Sequence, residues 1–323
     1  DARLLKSSDL TIKKSMEHNT GQCLPINIIA QEFIEFVTEH KLEPENTMLW
    51  AIESKLSCNI RLYPEYFKSI FENYGKGFEK AHVYSGLLTH LEISLGACYY
   101  AYFAYLLGGL IRMTGYKIRP YEINKGDTDR VINESIGILE GAFLGKKPME
   151  KAVSEVICLF DDIPRGEGNK PKIALFGDFY VCDNEIMNQE LNRVIEEAGG
   201  EVITTPYTDL VKMTLENVIR RSVYRGEYVT AAQQRMISTC LKLFEDKYYR
   251  YFEIYLGRKK IINPRKLEKY LARFNINPYH SGESYENILK IFYFLENYPE
   301  ISLFVQANPA FCCPSLVTEA MTG

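Results

Sequence analysis

The chain has 323 residues, of which 46% are hydrophobic and 25% are charged, and its formal net charge is −4. That length predicts about two domains with proper cores, and the mixed composition excludes a disordered, collagen-like or coiled-coil chain. The slight acidic excess argues against nucleic-acid binding, which requires a basic surface. Eight cysteines are too few for a secreted disulfide scaffold. No secretory signal pattern opens the sequence, so we expect a cytoplasmic protein.

The first half of the chain predicts alternating strands and helices. AHVYSG (81–86) and YKIRPYEI (116–123) are strand candidates. Residues 93–111 between them carry no charge and reach the lower limit for a membrane span. Tyrosines in the middle of this run and three glycines favour a buried or interface helix instead. We therefore expect no membrane contact, and this helix is a candidate contact surface.

The second half contains the clearest local unit. KIALFG (172–177), a helical pattern over 183–200 and EVITTP (201–206) predict a βαβ unit, which requires a parallel sheet. ISLFVQ (301–306) predicts a further strand of that sheet, and the residues between are mostly helical. The Gly- and Pro-rich stretch 161–171 is the best linker candidate. We therefore predict an α/β protein with an N-terminal lobe (1–165) and a C-terminal lobe (166–323).

Four cysteines share a local setting at predicted helix starts. Cys23 precedes Pro25, Cys58 precedes Pro64, and Cys312 and Cys313 precede Pro314. Proline in the first helical turn marks a helix start, and the positive end of the helix dipole there favours a thiolate. Thiolate is the form that ligates iron or attacks as a nucleophile. These cysteines are therefore candidate metal ligands.

The cysteine spacing is not that of a zinc finger, because no C-x-x-C or Cys/His cluster occurs. Ligands from separate helix starts suit a cluster held in a cleft between lobes, and buried structural cysteines are the alternative. Cys98, Cys158 and Cys240 lie in apolar helical patterns, which indicates a structural role. The role of Cys182 stays open.

Other signals are weaker. GDFYVCDN (177–184) follows a predicted strand, where doubly wound folds place ligands, but it lacks a dinucleotide fingerprint. His280 and Glu283 could act as acid and base, although a glycine turn before a helix explains the same residues. No P-loop is present, so we expect no nucleotide on this chain. Three basic residues could meet an anionic substrate or be solvated: Arg61, Arg119 and Lys125.

Seven segments in order resemble one family. They are GQCLP, CNIRLYP, GGLIRMTGYKIRPYE, KIALFGDFYVCDNEIMNQ, GGEVITTPY, HSGESYENILKI and LFVQANPAFCCPSLVTEAM. These are similar to the 2-hydroxyacyl-CoA dehydratase superfamily, in particular the dehydratase-like component fused to or encoded with a CoA-substrate-specific enzyme activase. The double-cubane cluster protein belongs to the same superfamily. The resemblance covers the chain from about Gly21.

The resemblance implies two Rossmann- or flavodoxin-like lobes with parallel sheets flanked by helices, extra helices between them and an iron–sulfur cluster in the cleft. The cluster would be a [4Fe-4S] or double-cubane type, held by Cys23, Cys58 and either Cys312 or Cys313. An isolated fragment could lose it. The resemblance also implies a homodimer and a separate ATP-hydrolysing activase that delivers low-potential electrons.

Two departures limit the resemblance. Cys182 stands where we expect an arginine, and segments expected before GQCLP and after TEAMTG are missing, as in an excised middle segment. The leading hypothesis is an iron–sulfur reductase or dehydratase component acting on a 2-hydroxyacyl-CoA or a small reducible molecule. The alternatives are a non-catalytic electron-transfer or activase-docking domain, and a nucleotide- or flavin-binding protein without metal.

Overall fold

The computed structural model describes residues 3–18, 21–53, 58–87, 93–206, 208–260, 262, 264–277 and 283–322. The chain is mostly helical, with two small sheets whose strands are all parallel. This architecture agrees with the predicted α/β class. None of the helices within the described ranges combines the length and hydropathy that crossing a bilayer requires.

The first half of the chain forms a small parallel strand pair followed by long helices. Its elements are α1 (Asp9–Ser15), α2 (Leu24–Glu39), β1 (Met48–Glu53), α3 (Tyr63–Tyr74), β2 (His82–Leu87), α4 (Leu95–Ile118), α5 (Asp127–Phe143) and α6 (Met149–Asp161). Strands β1 and β2 pair in parallel from Met48 opposite His82, so α3 is the crossover helix of a βαβ unit. Phe33, Phe67 and Phe71 are buried between α2 and α3.

The second half contains the larger sheet. Its elements are β3 (Lys172–Gly177), α7 (Phe179–Asp183), α8 (Leu191–Glu197), β4 (Glu201–Ile203), α9 (Thr208–Tyr224), α10 (Tyr228–Leu256), α11 (Pro264–Leu271), α12 (Glu283–Asn297), β5 (Ile301–Ala307) and α13 (Cys313–Thr322). The predicted strands at 172–177, 201–206 and 301–306 are confirmed as β3, β4 and β5, although β4 ends at Ile203.

One predicted strand is wrong. Residues 116–123 are the last turn of α4 followed by a 3-10 helix, Arg119–Tyr121, and Glu122 makes only an isolated antiparallel bridge with Arg165. Apolar and polar residues alternate in this segment, as they do in a strand. However, the buried residues Ile111, Thr114 and Ile118 continue one face of α4 at spacings of three and four residues. The apolar run at 93–111 is therefore part of a longer helix.

A layer of helices connects the two halves of the chain. The buried side chains of α4, α5 and α6 share one core with those of α10, including Leu107, Val131, Val156 and Phe252. Helix α10 lies beyond the predicted boundary near residue 165, so this core contains residues from both predicted lobes. The division into lobes 1–165 and 166–323 stays a prediction.

The larger sheet has the strand order β4–β3–β5. The chain passes from β3 to β4 on one side and later places β5 on the other side, with Gly177 opposite Ala307 at the carboxyl end. Such a reversal is a topological switch point, and α/β proteins bind ligands in the crevice outside the carboxyl ends of the strands there. The chain after β5 leads from this edge directly to Cys312 and Cys313.

Candidate metal centre

The four cysteines singled out by the sequence all lie at helix starts. Cys23 is the residue before α2, and Cys58 precedes the 3-10 helix Asn59–Leu62 that leads into α3. Cys312 directly precedes α13, and Cys313 is its first residue. Neither Cys23 nor Cys58 uses its side chain to cap the helix that it precedes. All three cysteine segments therefore lie where a helix begins, as the sequence predicts.

Hydrogen bonds bring the three cysteine segments together from distant parts of the chain. The Leu24 N–H donates to the carbonyl oxygen of Ala310 over 3.2 Å, which joins the start of α2 to the segment before α13. The side-chain amide of Asn59 donates to Gln22 Oε1 at 3.1 Å and lies 3.9 Å from the sulfur of Cys313. Asn59 therefore links the residues next to Cys23 and Cys58 with Cys313 itself.

Cys23 has a buried tyrosine as its neighbour. The hydroxyl oxygen of Tyr63 lies 3.0 Å from Cys23 Sγ, and both residues are buried. Burial raises the pKa of the Tyr63 hydroxyl well above its usual value, and the nearby charges of Cys23, Cys58 and Asp178 raise it further. The hydroxyl therefore stays protonated, so its O–H can donate to the Cys23 sulfur when that sulfur is a thiolate.

The two cysteines of the third segment differ in exposure. Cys312 is buried, and its sulfur accepts a hydrogen bond from the Ser315 hydroxyl at 3.0 Å. Cys313 is exposed and lies beside Asn59. Phe311, just before them, has a φ of 63°, in the left-handed region that bulky residues rarely adopt. This conformation turns the chain from Ala310 into the start of α13.

The carboxyl ends of β3 and β5 meet beside these cysteines. The Asp178 N–H lies 3.0 Å from the Ala307 carbonyl oxygen and 3.1 Å from Asn308 Oδ1. Gly177 has a φ of 126°, and a Cβ there would lie 2.3 Å from the Ala307 carbonyl oxygen. Only glycine fits this close approach of the two strands. The short stretch of chain between Ala307, the last residue of β5, and Cys312 joins the switch point to the cysteine site.

The candidate donors at this site are thiols. Among the described residues, no group of three or more His, Cys, Asp or Glu side chains is close enough to hold a metal ion. An iron–sulfur cluster separates its ligands by its own width and takes thiolates as ligands. The thiols of Cys23, Cys58 and the Cys312–Cys313 pair, with hydrogen-bond donors beside them, fit that chemistry.

Other predicted residues lie elsewhere or outside the described residues. His280 and the side chain of Glu283 lie outside them. Cys182 is buried in α7, with its sulfur 3.9 Å from the Ala307 carbonyl oxygen. The three cysteines expected to have a structural role differ in exposure. Cys98 is half-buried, whereas Cys158 and Cys240 are exposed on their helices.

The basic residues proposed for an anionic substrate are not gathered at this site. Arg61 and Lys125 are exposed. Arg119 is buried, and its guanidinium pairs with Asp129 at 3.1 Å and with Glu196 at 3.0 Å, so it joins α5 to α8. An arginine with two carboxylate partners serves the fold rather than a substrate.

Sequence reasoning missed the polar residues that surround the sulfurs. These are Asn59, Tyr63, Asp178 and Ser315. Each lies within five residues of a candidate cysteine or directly after β3, and that proximity was the available signal. The chain matches no protein-family model, and comparison with curated proteins and with solved structures likewise finds no match.

Proposed function

We propose that this chain is an iron–sulfur reductase or dehydratase component that receives low-potential electrons from an ATP-dependent activase. The observation that carries the proposal is the meeting of three helix-start cysteine segments beside the switch point of the larger sheet. Cys23, Cys58 and one of Cys312 and Cys313 would hold the cluster. When bound, the cluster would accept and pass on single electrons.

The residues of the chain around the sulfurs have separable tasks in this proposal. The Tyr63 O–H donates to Cys23, and the Ser315 O–H donates to Cys312. The Asn59 side chain connects the segment of Cys58 to Gln22 and to Cys313. Hydrogen bonds to ligand sulfurs and exclusion of water are the means by which a protein tunes such a centre. Burial of Cys23 and Tyr63 supplies part of that exclusion.

The finer parts of the proposal concern architecture, substrate and partners. The two parallel sheets would belong to two flavodoxin-like lobes, with the cysteine segments between them. The substrate would be a 2-hydroxyacyl-CoA or a small reducible molecule, and the functional unit would be a homodimer that docks the activase. These parts rest on the resemblance of the sequence motifs and on the strand order of the larger sheet, because α/β folds bind ligands at the carboxyl edge of such a switch point.

Anaerobic reconstitution with iron and sulfide tests the proposal. We expect the wild-type chain to bind both elements and to develop visible absorbance from sulfur-to-iron charge transfer. Cys23→Ala and Cys58→Ala should each lower the iron bound per chain, and one of Cys312→Ala and Cys313→Ala should do the same. The exposed Cys158→Ala on α6 is the matched control and should retain wild-type iron. Absence of bound iron, or equal iron in all variants, would contradict the proposal.

The reconstituted protein also separates the two iron–sulfur hypotheses. With activase and ATP, a reductase or dehydratase component converts an added substrate. A non-catalytic electron-transfer or docking domain is reduced by the activase but converts none of the acyl-CoA or small-molecule substrates. A spectroscopic record of reduction, taken in the same reaction as a product assay, distinguishes these outcomes.

A further inference from the structure

A groove of about 510 Å³ lies at the amino-terminal edge of the larger sheet. Lys172 and Glu201, the first residues of β3 and β4, line it. The six-residue strand β3 separates this groove from the cysteine site by about 20 Å. Its volume falls in the range of about 300–1,000 Å³ that is typical of small-molecule sites. The groove is therefore a separate candidate site.

One wall of the groove is the loop 166–169, within the stretch that the sequence suggested as a linker. Tyr121 fixes both ends of this loop, because its carbonyl oxygen accepts from the Gly166 N–H at 2.8 Å and its hydroxyl accepts from the Lys170 N–H at 3.1 Å. The backbone N–H groups of residues 167–169 have no hydrogen-bond partner among the residues that the structure describes. Consecutive free N–H groups in a turn can bind an anion.

Two lysines, Lys117 and Lys172, line the sheet side of the groove. Lys117 pairs with Glu201 at 2.5 Å, and Lys172 pairs with Glu300 at 2.8 Å. Lys260 lies close enough to these two lysines for their charges to affect its pKa. Burial lowers the pKa of Lys260, Lys172 and Lys117 lower it further, and Glu300 opposes the shift. Lys260 itself lies outside the lining of the groove, and its ammonium donates to the Asn297 carbonyl oxygen. The charged side chains that line the groove are the cations Lys117, Lys172 and Arg165 and the carboxylates Glu167 and Glu201, which leaves one positive charge in excess.

The other side of the groove combines a cation with apolar surface. Arg165 forms no ion pair with any described residue, and its guanidinium lies over the Tyr255 ring, 5.3 Å from the ring centroid. Ile254, beside Tyr255, also lines the groove and is 71% exposed. The guanidinium also hydrogen-bonds the Tyr255 hydroxyl, which donates to Asp161. A guanidinium without a direct carboxylate partner is suited to phosphate, and an exposed apolar side chain is suited to a flat ring.

We propose that this groove binds a phosphate-bearing ligand that carries a flat ring, of the size of a nucleoside diphosphate. The phosphates bind the N–H groups of residues 167–169 together with Arg165 and Lys172, and the ring lies against Ile254. The site is independent of the iron–sulfur proposal. It departs from the expectation that this chain binds no nucleotide, which rested on the absence of a P-loop from the sequence.

Calorimetric titration of the metal-free protein with ADP, pyrophosphate and adenosine tests this site. We expect saturable ADP binding that is tighter than binding of either pyrophosphate or adenosine, because each of these provides only half of the contacts. Arg165→Gln and Lys172→Gln should each weaken ADP binding about tenfold, the loss expected for one charge-assisted hydrogen bond. The control is Arg130→Gln, an exposed arginine on α5 whose partners are Asp127 and Glu134.

The control variant should bind ADP with wild-type affinity, and the unfolding midpoints of all three variants show whether the fold is intact. Three results would each overturn the proposal. They are the lack of saturable ADP binding, pyrophosphate affinity equal to that of ADP, and wild-type ADP affinity in folded Arg165→Gln and Lys172→Gln.

Discussion

The hydroxyl oxygen of Tyr63 lies 3.0 Å from the sulfur of Cys23, forty residues earlier in the chain. Because burial keeps this hydroxyl protonated, the contact favours negative charge on the sulfur. It also ties the start of α3 to the start of α2, two of the three helix starts that carry candidate ligands.

Removal of this hydroxyl should lower the reduction potential of the reconstituted centre. Hydrogen bonds to ligand sulfurs stabilise the more negative reduced state, so Tyr63→Phe should shift the potential downward by tens of millivolts. A differential loss of about 1.4 kcal/mol corresponds to about 59 mV for one electron. Tyr66→Phe on the same helix is the control in a redox titration followed by electron paramagnetic resonance. An unchanged potential in Tyr63→Phe would show that the contact does not tune the centre.

The fold at the switch point should depend on Gly177. This residue has a left-handed φ, and a Cβ added to it would lie 2.3 Å from the Ala307 carbonyl oxygen, so there is no space for a methyl group. Gly177→Ala should therefore lower the free energy of unfolding by about 2 kcal/mol or more in urea titrations. In Gly137→Ala, on an open face of α5, stability should rise by about 0.5–1 kcal/mol. Equal effects in the two variants would contradict the close approach of β3 and β5.

A buried ion network joins α9 and α10. Lys212 on α9 pairs with Asp209 at 2.6 Å and with Glu245 on α10 at 2.9 Å, and both carboxylates are buried. Lys212→Met removes a cation that pairs with both carboxylates, and it should lower the free energy of unfolding by about 3–5 kcal/mol. Lys147 pairs with Glu155 at a more exposed position, so Lys147→Met should lower the free energy of unfolding by at most about 1 kcal/mol. Chemical denaturation of both variants measures the difference, and comparable costs would contradict the buried network.

Glu286 should make the stability of the protein depend on pH near neutrality. Burial raises the pKa of this carboxyl to about 7, against the opposing charge of Lys290. The folded state therefore holds the proton more tightly than the unfolded state does. The stabilisation is complete below the unfolded-state pKa near 4.5 and is lost as the pH rises through about 7.

Glu286→Gln, which mimics the protonated carboxyl, should remove this dependence. Above pH 7 the variant should be more stable than the wild type by up to about 3 kcal/mol. Glu140→Gln at an exposed position on α5 controls for the loss of a charge. Parallel stability profiles for the wild type and Glu286→Gln from pH 5 to 9 would show that the carboxyl does not titrate in this range.

Local sequence patterns predicted the strands of the larger sheet, but not the structure of the segment that connects β3 to β4. Strands β3 and β5 are apolar runs of ordinary strand length, so the sequence alone identifies them. Of the helix predicted over 183–200, only α8 (Leu191–Glu197) forms, because turns follow the end of α7 at Asp183. The side chains of Asn184 and Asn188 accept hydrogen bonds from the N–H groups of Met187 and Leu191, which replaces helical pairing. Periodicity cannot reveal this competition.

The sequence alone identified the candidate ligands of the site, but not the residues that contact them. Proline after each cysteine marks the helix starts, so local rules identified Cys23 and Cys58. The contact between Leu24 and Ala310 depends on how distant segments pack, and no local rule contains it. The groove at 166–169 was hidden for the same reason, because its two lysines come from separate elements, α4 and β3.

The central claim is that Cys23, Cys58 and the Cys312–Cys313 pair hold one iron–sulfur centre. Anomalous diffraction at the iron absorption edge, from crystals of the anaerobically reconstituted chain, tests it most directly. We predict an iron peak within bonding distance of the sulfurs of Cys23, Cys58 and one member of the pair. An iron peak located away from these sulfurs, or crystals of the reconstituted chain that contain no iron, would contradict the claim.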